Sequence, residues 1–568
     1  MSAQPGGLPE RCPPLDKLAI AATILMVVSL CGCQTGFRQY IKNGFKVGPN
    51  YRRPVAPVAN DWIDYADPRV NVADADYSAW WTTFNDPTLN HLITSAFSQN
   101  LTLREAGLRV MEFEYQRNVV AGNIFPQQQE LFGDYTRNLR SGAFGPGPRS
   151  TSTWRFGSRL AWELDFWGRF RRAIERADAQ LDSSIENYDD VLVLLLAETA
   201  TTYVDFRTTE QRLQFARQNV ELQTESARIA ARKLDAGAKG GEIDAPQAAA
   251  NLAQTRAIME ELEISLRQSR NRLCVLLGMP PHDLECIMNQ NVTSGVNVIP
   301  RAPREVVIDV PAALLLRRPD VRRAEREAAA QNAEIGIAES SLYPHISING
   351  SLSLEAPSFG GLFGGDAWAG SIGPAFRWDV LNYGRLRNNI YQQDVRFQQL
   401  VTRYQQTVLL ANEEAENAIV AFLRFQNEAV LLEESVREAS EAVRVATVNY
   451  DEGEFDFNRL FTLQQFLVSL QDQLAVVQGN VCRSLIQLYR ALGGGWELRL
   501  RADPRGSCPP GNTQLPEFSL PDQPTRIDLE IDRDWNSGVE LAPPALVVPE
   551  EPQPFPVESV PAVDTDTN

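Results

Sequence analysis

Trp162-Glu-Leu-Asp-Phe-Trp-Gly-Arg169 returns 216 residues later as Trp378-Asp-Val-Leu-Asn-Tyr-Gly-Arg385. The same offset lays Arg171 on Arg387, Glu198 on Glu414, Phe206 on Phe422 and Gly237 on Gly453. An offset of 218 lays Leu103-Arg104 and Pro126 on Val321-Arg322 and Pro344. Blocks recurring in one order at nearly one spacing define a tandem duplication. Solenoid repeats have periods of roughly 20 to 50 residues, so this unit is a domain-sized element copied once and packed beside its twin.

Within each half the hydrophobic period changes in the same order. From His91 to Phe125, and again from Val321 to Tyr343, apolar residues recur at helical spacing until Pro126 and Pro344 end the pattern. The period then becomes two: Ile346, Ile348, Leu352 and Leu354 alternate with Ser347, Asn349, Ser351 and Ser353, as in a strand with one apolar and one polar face. A second strand carries Phe376, Trp378 and Val380 against Arg377 and Asp379; the first half repeats it with Leu160, Trp162, Leu164 and Phe166 against Arg159, Glu163 and Asp165. The glycines at 360, 361, 364 and 365 read as a surface loop. No proline interrupts Gly168–Gly237 or Gly384–Gly453, and a continuous helix of that length reaches roughly 100 Å. The helical patterns near 91–125 and 243–277 are each about half as long, so two of them stacked end to end match one long helix in a coiled-coil layer.

Alternating strands of this kind fit either a sheet on a soluble core or a membrane barrel with a wet lumen. The amino terminus favours the barrel. Arg11 and Lys17 precede an apolar stretch, Leu18–Leu30, which small residues follow; this is the form of a signal peptide. Leu30-Cys31-Gly32-Cys33 resembles the bacterial lipobox, which makes Cys33 the lipid-bearing residue after cleavage. Gln34 is not the aspartate associated with inner-membrane retention in enteric bacteria, so delivery to the outer membrane is expected. There is no run of 18 apolar residues and hence no evident transmembrane helix. Four strands cannot close a membrane barrel, since the smallest have about eight. Three chains would supply twelve strands, continued by a ring of twelve helical staves, and the result is a hollow tube.

These blocks resemble the TolC-type outer-membrane efflux family, in particular its lipoprotein branch paired with proton-driven pumps of the resistance, nodulation and division class. The likeness runs from about residue 47 to residue 496. It is carried by Val47-Gly48-Pro49-Asn50-Tyr51-Arg52-Arg53-Pro54, Trp80-Trp81, Phe84, Asp86-Pro87, Leu89, the Trp162–Arg169 block, Leu276-Leu-Gly278, Arg317-Arg-Pro-Asp320, Ile335-Gly336, Tyr343-Pro344 and Leu488-Tyr-Arg-Ala-Leu-Gly-Gly-Gly-Trp496. The resemblance implies a mainly α fold with a β-barrel part. Its trimer would join a 12-stranded outer-membrane barrel to a long periplasmic α-helical barrel, fed by a periplasmic adaptor and an inner-membrane pump.

The resemblance also locates a gate. The long helices turn over at Gly237 and Gly453, which places these hairpins at the tip, the family's closed periplasmic entrance. Tyr450 matches the gating tyrosine, and Asp244 matches the acidic position of the first hairpin if one inserted residue is allowed. Arg459 stands where the second hairpin's acid is expected, leaving Asp451, Glu452, Glu454 and Asp456 to supply negative charge; charges of this kind are also common in merely solvated turns. Trp162 and Trp378 read as membrane-interface anchors, Trp80 and Trp81 as packing for the mixed region. Pro319 and Asp320 suit the first turn of a helix better than the Arg317-Arg318 pair suits a binding patch.

Catalysis is not expected. His91, His282 and His345 are far apart, and metalloprotease, Cys-x-x-Cys, phosphate-loop and nucleophile-elbow motifs are missing, so neither a cofactor nor a metal is expected beyond lipid on Cys33. A net charge of −18 argues against nucleic-acid binding, which needs clustered cations. Cys274 and Cys482 sit in apolar patterns as core residues, whereas Cys286 and Cys508 lie in loop-like sequence and are the candidates for pairing. The expected organisation is a signal peptide (1–32), an amino-terminal extended and equatorial segment (33–90), a first repeat (91–278), a linker (279–316), a second repeat (317–496) and an acidic, Pro-rich disordered tail (497–568). Two rivals remain: a periplasmic coiled-coil structural or adaptor protein that spans no membrane, and the same duct serving type I protein secretion. The cargo is not written in the sequence.

Overall fold

Gly168 and Gly384 sit at matching points of the two copies with φ of 82° and 80°, a region glycine enters without steric cost. At each, the chain leaves a strand and enters a very long helix. The computed structural model describes residues 36–73, 76–139, 150–237, 241–288, 299–313 and 317–501. Cys33, the leader, Cys508, the side chain of Cys286 and residues 502–568 lie outside the described residues; the first residues of the expected tail are ordered, since Leu498–Arg501 form a helical turn that Arg499 ties to Asp189.

In chain order the helices of six residues or more are α1 (Phe37–Lys42), α2 (Pro87–Gln99), α3 (Leu101–Gly122), α4 (Arg169–Asp235), α5 (Gly241–Leu276), α6 (Pro319–Ser340), α7 (Arg385–Glu452) and α8 (Phe457–Ala491). The strands are β1 (Val70–Val72), β2 (Gln128–Leu139), β3 (Ser150–Glu163), β4 (Val306–Ile308), β5 (His345–Ala356) and β6 (Trp368–Arg377). α4 has 67 residues and α7 has 68. The half-length helices pack along the long ones: α3, α5, α6 and α8 lie along α4, while α6 and α8 lie along α7. The sheet order β2-β3-β5-β6, antiparallel throughout, joins the copies through β3 and β5. A separate parallel pair, β1 with β4, brings the amino-terminal segment against the inter-repeat segment; with only three residues per strand, it left no periodic signal.

Local chemistry sets boundaries that periodicity missed. The helix expected from His91 to Phe125 begins earlier, at Pro87, where the Asp86 carboxylate accepts from the Thr88 and Leu89 amides. It breaks at Asn100, whose side chain caps α3 through the Leu103 amide and donates to the Leu276 carbonyl. Leu164 and Phe166 lie beyond β3, because the Asp165 carboxylate caps α4 through the Phe170 and Arg171 amides at 2.9 and 3.1 Å. Trp378 and Val380 likewise lie beyond β6.

The main core sits at the equator. Trp62, Trp80, Trp81, Phe84 and the α2 residues Leu89, Leu92 and Ile93 pack on Leu196, Tyr203 and Phe206 of α4 and on Leu485 and Tyr489 of α8. Trp80 stacks on Tyr489 with centroids 5.5 Å apart. Each buried aromatic contributes about 1.5–3 kcal/mol of hydrophobic stabilisation, which ties the equatorial segment to both copies. Cys274 and Cys482 are buried there, and burial pushes the Cys482 thiol up to about 12.

Candidate functional site

The strand register sorts the sheet into two chemically opposite faces. Leu131, Ser158, Leu352 and Gly370 form one cross-strand row, and Gly133, Phe156, Leu354 and Trp368 the next. Tyr135, Trp154, Leu160, Trp162, Ile348, Ile372 and Phe376 share that apolar face by alternation. The other face carries Glu130, Asp134, Arg155, Arg159, Ser351 and Ser371. Directly opposed residues pair there, Asp134 with Arg155 at 3.0 Å and Glu130 with Arg159 at 2.8 Å. Trp154 and Trp162 are eight residues apart on β3, a rise of about 20 Å for a strand tilted about 40°, close to the roughly 25 Å apolar band that aromatic girdles flank in membrane barrels. Trp154 packs on Tyr135 and on Phe359 of the loop after β5, an upper aromatic cluster that lies outside the repeated motif and that sequence reasoning missed. Trp162 and Trp378 are half-buried, and their indoles donate to the carbonyls of Ile124 and Leu342 at 3.0 and 2.9 Å. The duplication is thus visible in single hydrogen bonds.

At the opposite end, α4–α5 and α7–α8 form two helical hairpins. Gly237 and Gly453 turn them with φ of 69° and 84°. Tyr450 is only 1% exposed and packs with Ile229, Ala248, Phe457 and Leu460. Its hydroxyl donates to Asp244 Oδ2 at 3.2 Å, so Tyr450 and Asp244 meet across the two hairpins. Lys233 lies over the Tyr450 ring at 3.9 Å and donates to its carbonyl. Burial first and the Asp244 charge second raise the phenol above its ordinary value, so it stays a neutral donor. Asp451 pairs with Arg232 at 3.2 Å, and Asp456 caps α8 through the Arg459 amide at 3.0 Å. The Arg459 guanidinium lies over Phe455 at 4.2 Å. Asp451, Glu452, Glu454 and Asp456 are all exposed, an acidic rim around the buried tyrosine. Lys233 was not singled out in the sequence; a lysine at the end of a helix is ordinary, and only the fold brings it onto Tyr450.

Between these ends the two copies meet along α4 and α6, and the contact is built from charge. Asp189 is 1% exposed and accepts from Arg499 at 2.7 and 3.0 Å, with Arg322 at 3.4 Å. Glu186 pairs with Arg322, Asp190 with Arg323 and Asp182 with Arg326. Desolvation pushes the carboxyl of Glu186 up to about 7 against the pull of Arg322.

The amino-terminal segment clasps the elbow between β3 and α4. Tyr40 donates to the Phe166 carbonyl at 2.7 Å and the Val47 amide to the Trp167 carbonyl at 3.0 Å. Arg172, 1% exposed, donates to the carbonyls of Val47 and Gly48 and to the Asn50 side chain. A Cβ on Gly48 would lie 2.5 Å from the Cα of Gly336, which explains two glycines of the sequence blocks as one close approach.

A family model described as outer membrane efflux protein matches the chain twice, over residues 92–279 and 310–494. Nodulation protein T of Rhizobium leguminosarum bv. viciae is 29% identical over 463 residues, covering 81% of this chain and 92% of that protein. The toluene efflux pump outer membrane protein TtgI of Pseudomonas putida is 28% identical over 472 residues, covering 81% and 98%. Among solved structures, the outer-membrane channel OprN superposes with a TM-score of 0.72 at 30% identity, over 79% of this chain and 99% of that one. The Campylobacter jejuni CmeC outer membrane channel gives 0.73 at 21% identity, over 80% and 98%, a likeness of fold.

Proposed function

The chain belongs to the outer membrane efflux protein family, and from that premise we propose that it forms the homotrimeric duct of a tripartite efflux system. It is an outer-membrane channel with a TolC-like fold, and its helices form the periplasmic stem. A periplasmic adaptor and an inner-membrane pump of the resistance, nodulation and division type deliver substrate to the tip. Lipid on Cys33 anchors the amino terminus in the outer membrane. The duct conducts passively and performs no catalysis.

The observation that carries this reading is the two-faced sheet with its two free edges. Its apolar face suits lipid and its charged face suits water, but among the described residues β2 and β6 each have a single strand partner. Three copies join those edges two by two at three seams and close a twelve-stranded barrel. At the other end, Tyr450, Asp244 and Lys233 tie the two hairpins together and hold the resting tip narrow. The test is conductance in planar bilayers, together with the heat-modifiable mobility of outer-membrane fractions. Trimers with a low resting conductance are expected. Recovery as a soluble monomer without detergent would sink the duct reading and favour a periplasmic structural protein.

A further inference from the structure

The two elbows of the duplication have different surroundings, and the difference identifies the seam between copies. In the first copy, Trp167 stacks on Tyr343 at 4.6 Å and donates to the Pro344 carbonyl at 2.9 Å. This contact runs from copy one to copy two within a single chain. The offsets that map one half onto the other turn Trp167 into Tyr383, and Tyr343-Pro344 into Phe125-Pro126. Here the mate contact is not made: Tyr383 is 96% exposed and Phe125 is 68% exposed. Tyr383 also holds φ of 50°, a left-handed conformation that is a genuine outlier for a bulky residue. Strain of that kind persists where the surroundings over-determine the backbone, and it clusters at functional sites.

We propose that Tyr383 stacks on Phe125 of a second copy of this chain, and that α7 packs there along the neighbour's α3. The proposal rests on the homotrimer reading and adds the residues that join it. Two further observations support it. Tyr115 and Val119 of α3 are exposed, whereas Ala333, the counterpart of Tyr115 on α6, is buried against its own chain. Along the seam inside one chain, α4 offers Asp182, Glu186, Asp189 and Asp190. The matching positions of α7 are Gln398, Thr402, Gln405 and Gln406. A seam made during folding can bury charge beside arginines already in place. Surfaces that must stay soluble until a neighbour arrives do better with neutral polar groups, whose desolvation costs less. Among the described residues the amino-terminal clasp bonds to the first elbow alone, so a closed ring would alternate three clasped junctions with three held by Tyr383 and Phe125.

The experiment places the photo-reactive amino acid benzoylphenylalanine at Tyr383 in the full-length, detergent-purified protein, with light scattering on the same sample. Irradiation is expected to give dimer and trimer bands on denaturing gels. Mass spectrometry should map the adduct to the peptide around Phe125, and Phe125→Ala should reduce its yield at least fivefold. Benzoylphenylalanine at Val119, on the α3 side, should capture α7 of the neighbour, which keeps the test alive if the Tyr383 variant misfolds. Trimers by light scattering with adducts only within the same chain would overturn the seam and leave the duct reading standing. Monomers by light scattering would overturn both.

Discussion

α4 and α7 occupy equivalent places in the two copies and differ by a single residue in length, yet they solve different problems. α4 faces α6 with carboxylates, one of them 1% exposed and bonded to Arg499. At the same heights α7 carries glutamines and a threonine, of which Gln405 donates to the Val55 carbonyl at 3.0 Å. The same positions thus carry carboxylates on α4 and neutral polar groups on α7. A duplication preserves the backbone plan and frees each copy to specialise its contacts.

The sharpest way to break this comparison is to remove one group at matching positions. Asp189→Ala leaves the Arg499 guanidinium without its buried carboxylate, while Arg322 keeps Glu186, and should destabilise the chain by about 3–5 kcal/mol. Gln405→Ala, its counterpart, should cost about 1 kcal/mol or less. Thermal unfolding of the purified protein measures both. Equal effects would mean that the two long helices are energetically alike and that the difference in their chemistry is incidental.

Acidity separates the copies next. The folded value of Glu186, about 7, lies above its unfolded value of 4.5, so the folded state holds the extra proton between these limits. Stability from this group is therefore full below 4.5 and is lost as pH rises through about 7, by at most about 3 kcal/mol. Glu186→Gln should flatten that slope in unfolding curves taken from pH 5 to pH 8 and raise stability at the alkaline end. Thr402, at the matching place in α7, does not titrate, and Thr402→Ala should leave the slope intact.

Much of this architecture was legible before any coordinate. The repeat offsets, the alternation of β5 and the proline-free spans located the long helices and the sheet, because periodicity records which face is buried. The elbows were legible only in part. Asp165 and Asn100 act as caps, and a cap interrupts a period without announcing which of two patterns it ends. The tip was read through resemblance: nothing in the spacing of Asp244 and Tyr450, 206 residues apart, indicates a hydrogen bond of 3.2 Å. The clasp built on Arg172, the Trp154 cluster and Lys233 were missed, since each depends on chain segments distant in sequence that only packing brings together.

At the tip the copies differ more gently. Tyr450→Phe removes one hydrogen bond of about 1 kcal/mol, while leaving the ring packed on Phe457. The expected result is a higher resting conductance in planar bilayers with little change in unfolding temperature, and Asp244→Asn should act in the same direction. Leu234, the counterpart of Tyr450 in the first hairpin and 40% exposed, has no hydroxyl to donate; Leu234→Ala should leave conductance near that of the unaltered protein. A response to Leu234→Ala as large as that to Tyr450→Phe would assign the gate to hairpin packing in general.

The smallest effect on stability is expected where charge is reversed between the copies. Asp244 belongs to the first hairpin, and Arg459 stands at its counterpart once the extra residue of that hairpin is allowed for. Arg459 is exposed and lies over Phe455, an arrangement contributing about 0.5–1 kcal/mol at an exposed site. Arg459→Asp should therefore lower the unfolding temperature only slightly, yet it replaces a cation with an anion beside Asp451, Glu452, Glu454 and Asp456. A negative rim concentrates cations at a pore mouth, and salt screens the effect. The permeability ratio of cation to anion, from reversal potentials in asymmetric salt, should rise for Arg459→Asp and rise less for Arg459→Ala, with both differences shrinking at high ionic strength. An unchanged ratio would place Arg459 away from the ion path and leave Asp244 to act through Tyr450 alone.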